Sequence, residues 1–241
     1  MKNFKLLPIL LFSALSWAQT ADEILEKAVQ ALGGDQISEE IQSLVIGGEI
    51  NIPPGITGKL KIYQKGEGKV YAATTIKAQG LNMEIVQACD GTDCYSNDPN
   101  MGLRLLEGQE KEMLLLQNDF MAYLDWKDLY PTREYKGQED FEGRKVHKVF
   151  LKSEQGMTMT NYYDAENFMI LKSEGTTENP LGSFTFTTVL KNYKDVFKGF
   201  KIPMVSETKL MGQTMTMTLD DVEVNVDIPE EKFKLPEGLK E

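Results

Sequence analysis

Apolar and polar residues alternate with a period of two along most of this chain. Phe184, Phe186 and Leu190 fall on one side of a strand, with Thr185 and Thr187 on the other. Met157 and Met159 likewise oppose Thr158 and Thr160. Met215, Met217 and Leu219 oppose Thr214, Thr216 and Thr218. The pattern predicts strands over 44–52, 58–64, 69–79, 81–89, 133–140, 144–151, 157–163, 168–175, 183–193, 201–210 and 214–226. Short turns such as Pro53-Pro54-Gly55, Gly66-Glu67-Gly68 and Glu142-Gly143 separate them, so the sheet is an antiparallel meander. In the last strand Val222, Val224 and Val226 share parity with the threonines, which predicts a bulge near Asp220-Asp221.

Two stretches depart from that period. Thr20 and Glu23 form a capping box, Ile24, Leu25, Ala28, Val29 and Leu32 make one apolar stripe, and Gly33-Gly34 ends the helix. The second stretch, Gly102 to Tyr130, is the longer. Met113, Leu116, Phe120 and Leu124 recur at helical spacing, and Leu114, Leu115, Met121 and Leu129 widen the same face. The expected fold is therefore mainly β with a few helices: a strongly curved antiparallel sheet of about eleven strands, an incomplete β-barrel, with an N-terminal helix and a helical insert over its concave mouth. So many one-faced strands cannot stay flat, because twist accumulates. The pattern leaves open whether the insert is permanent core or a lid.

Residues 1–18 stand apart. Lys2 and Lys5 precede an apolar run from Leu6 to Leu15, and Ser16-Trp17-Ala18 is a small-x-small cleavage site, as in a secretory signal peptide. The run is too short to span a bilayer, which takes about 20 residues. Gln19 follows the expected cut where a lipid-modified start would need Cys. The expected organisation is a cleaved leader, 1–18, and one domain, 19–241, exported to the periplasm as a soluble monomer. Without Lys2 and Lys5 the chain keeps 24 of its 26 basic side chains against 37 acidic ones, a net charge of −13. Such a surface argues against nucleic acid or anionic membrane as partners.

Cys89 and Cys94 flank Asp90-Gly91-Thr92-Asp93, a hairpin with a four-residue loop, and export favours a disulfide across it. A redox-active pair is the alternative, although the spacing is not that of CxxC. No catalytic motif is present: no GxSxG elbow, no HExxH and no glycine-rich phosphate loop. His147 is the only histidine and sits in a strand. No enzyme activity, metal or cofactor is expected.

Methionine is the unusual component. Eleven of the 12 remain after Met1, and Met83, Met113, Met121, Met157, Met159, Met169, Met204, Met215 and Met217 lie on the apolar faces or the insert. Methionine suits surfaces that accept varied apolar ligands and also fills ordinary cores. With a curved one-faced sheet, the first role predicts a cavity for an acyl chain. Its expected lining is Met113, Leu116, Phe120, Met121, Leu124, Met157, Met159, Phe184, Phe186, Met215 and Met217.

Several short motifs follow one another along the chain: Asp90-Gly91 with Tyr95-Ser96-Asn97-Asp98-Pro99, Leu105-Leu106-Glu107-Gly108 leading into the insert, Phe200-Lys201-Ile202-Pro203, and Val222-Glu223-Val224-Asn225 with Ile228-Pro229 and Phe233. Their order resembles that of LolA-like outer-membrane lipoprotein-sorting proteins. The resemblance implies a half-barrel with helices as a lid. It also implies a periplasmic carrier whose cavity takes lipoprotein acyl chains or other lipid, exchanged with envelope proteins as donor and acceptor. The rival readings are an envelope sensing or accessory protein of the same fold that binds a protein partner without lipid, and an exported hydrolase whose site lacks a recognisable motif.

Overall fold

The computed structural model describes residues 19–34, 39–66, 68–78, 80–119, 122–179 and 182–239. Residues 1–18, expected to be a leader, and Phe120 and Met121 of the expected lining lie outside the described residues. The thirteen strands are β1 (Ser43–Ile52), β2 (Ile56–Lys65), β3 (Lys69–Ala78), β4 (Leu81–Asp90), β5 (Cys94–Asp98), β6 (Gly102–Leu106), β7 (Thr132–Phe141), β8 (Arg144–Lys152), β9 (Thr158–Asp164), β10 (Ile170–Asn179), β11 (Gly182–Phe197), β12 (Phe200–Leu210) and β13 (Gln213–Val224). Among the described residues the helices placed in full are α1 (Ala21–Leu32), α2 (Gly108–Asn118) and α3 (Trp126–Leu129), and Glu230–Phe233 forms a 3-10 turn.

The strands make one antiparallel sheet in the order β6-β5-β4-β3-β2-β1-β13-β12-β11-β10-β9-β8-β7, open between β6 and β7. Its curvature follows from the helices. α2 touches both β3 and β10, which have five strands between them. In a flat sheet six strand spacings cover about 29 Å, whereas an eleven-residue helix is about 16 Å long. The sheet must bend around the helix for both contacts to exist. α1 makes the same demand, touching β7, β8 and β12.

Cross-strand partners share a face, so the registers trace the concave side from strand to strand. One row runs Met83, Ile76, Gly58, Ile50, Met217 and Ser206, and another runs Ile85, Thr74, Leu60, Gly48 and Leu219. The strip opposite carries Thr57, Lys77, Asn82, Asn51 and Thr216. Ser43 to Ile46 are buried on both sides because two layers cover them. Leu44 and Ile46 lie in the concave core, while Val45 is covered on the convex face by Ile228 and Phe233 of the C-terminal tail.

The parity change in the last strand is a bulge. Gly47 pairs with Asp221 and Gly48 with Leu219, leaving Asp220 as the extra residue. The partner strand carries glycine there because a Cβ on Gly48 would lie 2.6 Å from the Thr218 carbonyl oxygen.

α1 forms as expected. The Thr20 hydroxyl accepts from the Glu23 N–H at 3.2 Å, and the Glu23 carboxylate accepts from the Thr20 N–H at 3.1 Å. Its buried face, Ile24, Leu25, Ala28 and Val29, packs with Val149, Leu151, Met157 and Tyr163. The insert differs from its expected form. Residues 102–106 are the edge strand β6, and β5 is the other strand beyond the expected eleven. The continuous helix gives way to α2, a turn and α3. α2 stops at Asn118, whose buried side-chain amide donates to the Leu114 carbonyl at 2.9 Å. Leu103 and Leu105 are exposed while Leu106 is buried, which is strand alternation rather than a helical stripe.

His147 secures the β8 side of this core. It is 3 % exposed, its ring stacks on Phe168 at 5.8 Å, and the Tyr135 hydroxyl lies 3.1 Å from Nδ1, where it can donate to a neutral ring. Burial, and secondarily the Lys27 ammonium, lower its pKa. The unfolded chain then binds a proton the folded chain resists, so stability is full above about pH 6.5 and falls on acidification. The melting temperature of His147→Gln is expected to fall less than that of the wild type between pH 7 and 5. Equal slopes would show that His147 is not linked to folding.

Candidate functional site

The helices cover one part of the concave face and leave the rest uncovered among the described residues. Beyond them a trough of half-buried apolar side chains remains: Met83, Ile85 and Ile76 on one side, Met215 and Met217 in the middle, Phe184 and Phe186 on the other. Ile50, 9 % exposed, packs with Met215 and Met217 at its floor. The convex face of the same strands carries Lys59, Lys77, Glu84, Thr185, Glu207 and Lys209. Phe186 lies over Gly175, its register partner, and a Cβ there would come 2.6 Å from the ring. Glycine at 175 lets that ring lie flat against the wall.

Of the expected lining, Phe184, Phe186, Met215 and Met217 fall in this trough. Met159 shares their face beside Gly175 but, like Met113, Leu116 and Leu124, is half-buried against the α1 core. Met157 is fully buried in that core and faces no open space. Ile50, Ile76, Met83 and Ile85 were missing from the expected lining. Their alternation is visible in the sequence, but only the register shows that β1, β3 and β4 share a wall with β11 and β13.

α2 is fastened at several points. Arg104 on β6 donates from Nη1 and Nη2 to Glu110 at 2.8 and 2.7 Å. The Lys111 ammonium donates to the Thr92 carbonyl at the β4–β5 turn at 2.6 Å. Gln109 donates to the Gln155 carbonyl at 3.0 Å and accepts from the Glu178 N–H at 2.9 Å. The Ser153 hydroxyl donates to Glu112 at 2.7 Å. Beneath α2, Leu114 packs on Leu106 and on Cys89 and Cys94, whose Sγ atoms are 2.01 Å apart. These ties, with the apolar contacts of Leu114, Met113 and Leu116, hold α2 against β6, the β4–β5 turn and the α1 core.

A cavity of about 460 Å³ lies at the seam between β6 and the segment preceding β7, lined by Leu105, Leu106, Leu115, Leu116, Leu129 and Glu112 among others. Burial raises the pKa of Glu112, partly offset by the Ser153 hydrogen bond. Burial also raises the pKa of Tyr130, helped by Tyr163 and Glu112. Among the described residues no three His, Cys, Asp or Glu side chains come together as a metal site, and no helix is long and apolar enough to cross a membrane.

Solved structures of other proteins share this architecture. One is a DUF1329 family protein from Desulfovibrio piger, 12% identical over 89% of this chain and 97% of the other, with a TM-score of 0.62. An outer membrane lipoprotein-sorting protein domain from Vibrio parahaemolyticus is 12% identical over 88% of this chain and 94% of the other, with a TM-score of 0.59. A LolA superfamily protein from Nitrosomonas europaea is 16% identical over 90% of this chain and 99% of the other, also at 0.59. At these identities the likeness is one of fold. No family model and no curated protein matches the sequence.

Proposed function

We propose that the protein is a periplasmic carrier that shields lipid acyl chains, including those of lipoproteins, in the trough of its concave face. The observation that carries this reading is the contrast across a single sheet. Strands β1, β3, β4, β11 and β13 present half-buried Met, Ile and Phe on one side and Lys, Glu and Thr on the other. A face left half-open with apolar side chains retains burial energy for a guest, about 0.8 kcal/mol for each methylene taken from water. The solved structures of the same fold include a lipoprotein-sorting domain, which supports the reading. In it, α2 and its polar ties act as a lid, and the N-terminal leader directs export.

Native mass spectrometry of the protein released gently from the periplasm, with lipid extraction of the same sample, tests this. A bound acyl species of defined mass is the expected result. A protein of bare chain mass that takes up no lipid when offered it would overturn the carrier reading.

A further inference from the structure

The seam cavity has a chemistry that the trough lacks. Its walls are leucines from three elements: Leu105 and Leu106 of β6, Leu115 and Leu116 of α2, and Leu129 of α3. Glu112, half-buried on α2, lines the cavity beside the more exposed Asp93 and Glu107. Glu112 accepts from Ser153, and among the described residues no Lys, Arg or His pairs with it. Its neighbour Glu110, by contrast, is held by Arg104 through two hydrogen bonds. Lys111 also lines the cavity, but its ammonium donates to the Thr92 carbonyl, and Asp93 and Glu107 add further negative charge. A half-buried carboxylate without a counter-ion is harder to keep charged than one fully in water. A bound cation would supply what the fold omits, and the leucines would take the attached hydrocarbon.

We infer that the seam cavity is a second binding site, specific for an amphiphilic amine, with Glu112 pairing the ammonium and the leucine walls holding its alkyl chain. The volume of about 460 Å³ lies in the range of small-molecule pockets. The site lies outside the trough strands, with α2 seated as its wall, so amine binding and acyl binding are read by separate ligands.

The test uses octylamine, octanoate and octanol in calorimetric titrations of the purified protein at neutral pH. Octylamine is expected to bind more tightly than octanol, and octanoate not at all. Glu112→Gln keeps an acceptor for Ser153 and removes the charge. It is expected to weaken octylamine by about 10–100-fold, the worth of a charge-assisted hydrogen bond, and to leave octanol unchanged. Leu115→Lys, which brings an internal ammonium to the cavity, is expected to abolish octylamine binding. Met217→Asp, in the trough, is expected to leave it intact. Equal binding of octanoate, or an unchanged octylamine affinity in Glu112→Gln, overturns the site. An octylamine affinity changed in either direction by Met217→Asp and unchanged in Glu112→Gln would place the amine in the trough and overturn the site equally. The carrier reading stands or falls separately, on acyl binding.

Discussion

Met217→Asp is expected to remove acyl-chain binding by more than about 100-fold while leaving the protein folded. Met217 sits mid-strand on the concave face, register partner of Ile50 and Ser206. A ligand's alkyl chain over this point would have to desolvate the new carboxylate, which costs several kcal/mol with no partner to compensate it, and more than about 2.7 kcal/mol is a factor of 100. The unliganded protein bears little of that cost, because Met217 is only half-buried and the carboxylate can reach water. Met217→Leu, of similar volume and polarity, is expected to bind normally. Thr218→Asp supplies the matched control: the same charge one residue on, exposed on the convex face. Binding measured with a fluorescent fatty acid, beside a melting curve for each variant, separates the outcomes. Loss of fold in Met217→Asp would mean that the methionine faces are closed core. Equal loss of binding in Thr218→Asp would place the ligand elsewhere.

Gly48→Ala is expected to cost about 3 kcal/mol, at the upper end of overpacking effects, and to lower the melting temperature by roughly 6–12 °C for a chain of this size. The new methyl group would lie 2.6 Å from the Thr218 carbonyl oxygen and 3.3 Å from the Leu219 Cα. Both are backbone atoms of the strand that carries the bulge, so neither can swing aside as a flexible side chain would. Relief requires the β1–β13 pairing to open where the two halves of the sheet join. Gly66→Ala is the control. That position has nothing within 4 Å of a built Cβ, and its N–H bond to the Gln42 carbonyl survives the substitution. It is expected to be neutral or slightly stabilising. A Gly48→Ala protein that melts within two degrees of the wild type, about the resolution of such a comparison, would show that the bulge can relocate.

Residue by residue, the sequence determined the elements whose signals are local. Thr20 and Glu23 name a helix start through hydrogen bonds three residues apart, and they form it. Alternation in β11 and β13 names a strand with one apolar face, because the pleat puts successive side chains on opposite sides. The shifted parity of Val222 and Val224 named the bulge, since an extra residue inverts every later side chain. The short edge strand β6 was not legible. Its Leu103, Leu105 and Leu106 match a helical stripe as well as a strand, and five residues are too few to separate the two periods.

The candidate site divides in the same way. That methionine and phenylalanine would line a wall was readable from β11 and β13 alone. Which strands face them was not. Ile76 and Met83 lie across the trough from Phe184 only because the sheet bends enough for α2 to touch β3 and β10 together, and that bend is the sum of twists and packing over thirteen strands. Met157 and Met159 have the same parity and the same residue type and both pack at the α1 core, yet one is sealed and the other remains half-open. Glu112 is one of 37 acidic residues in the sequence. Its place beside the leucines, without a basic partner, arises where β6, α2 and α3 meet. Local hydrogen bonding and periodicity are written along the chain, whereas burial and charge pairing depend on which distant segments the fold brings together.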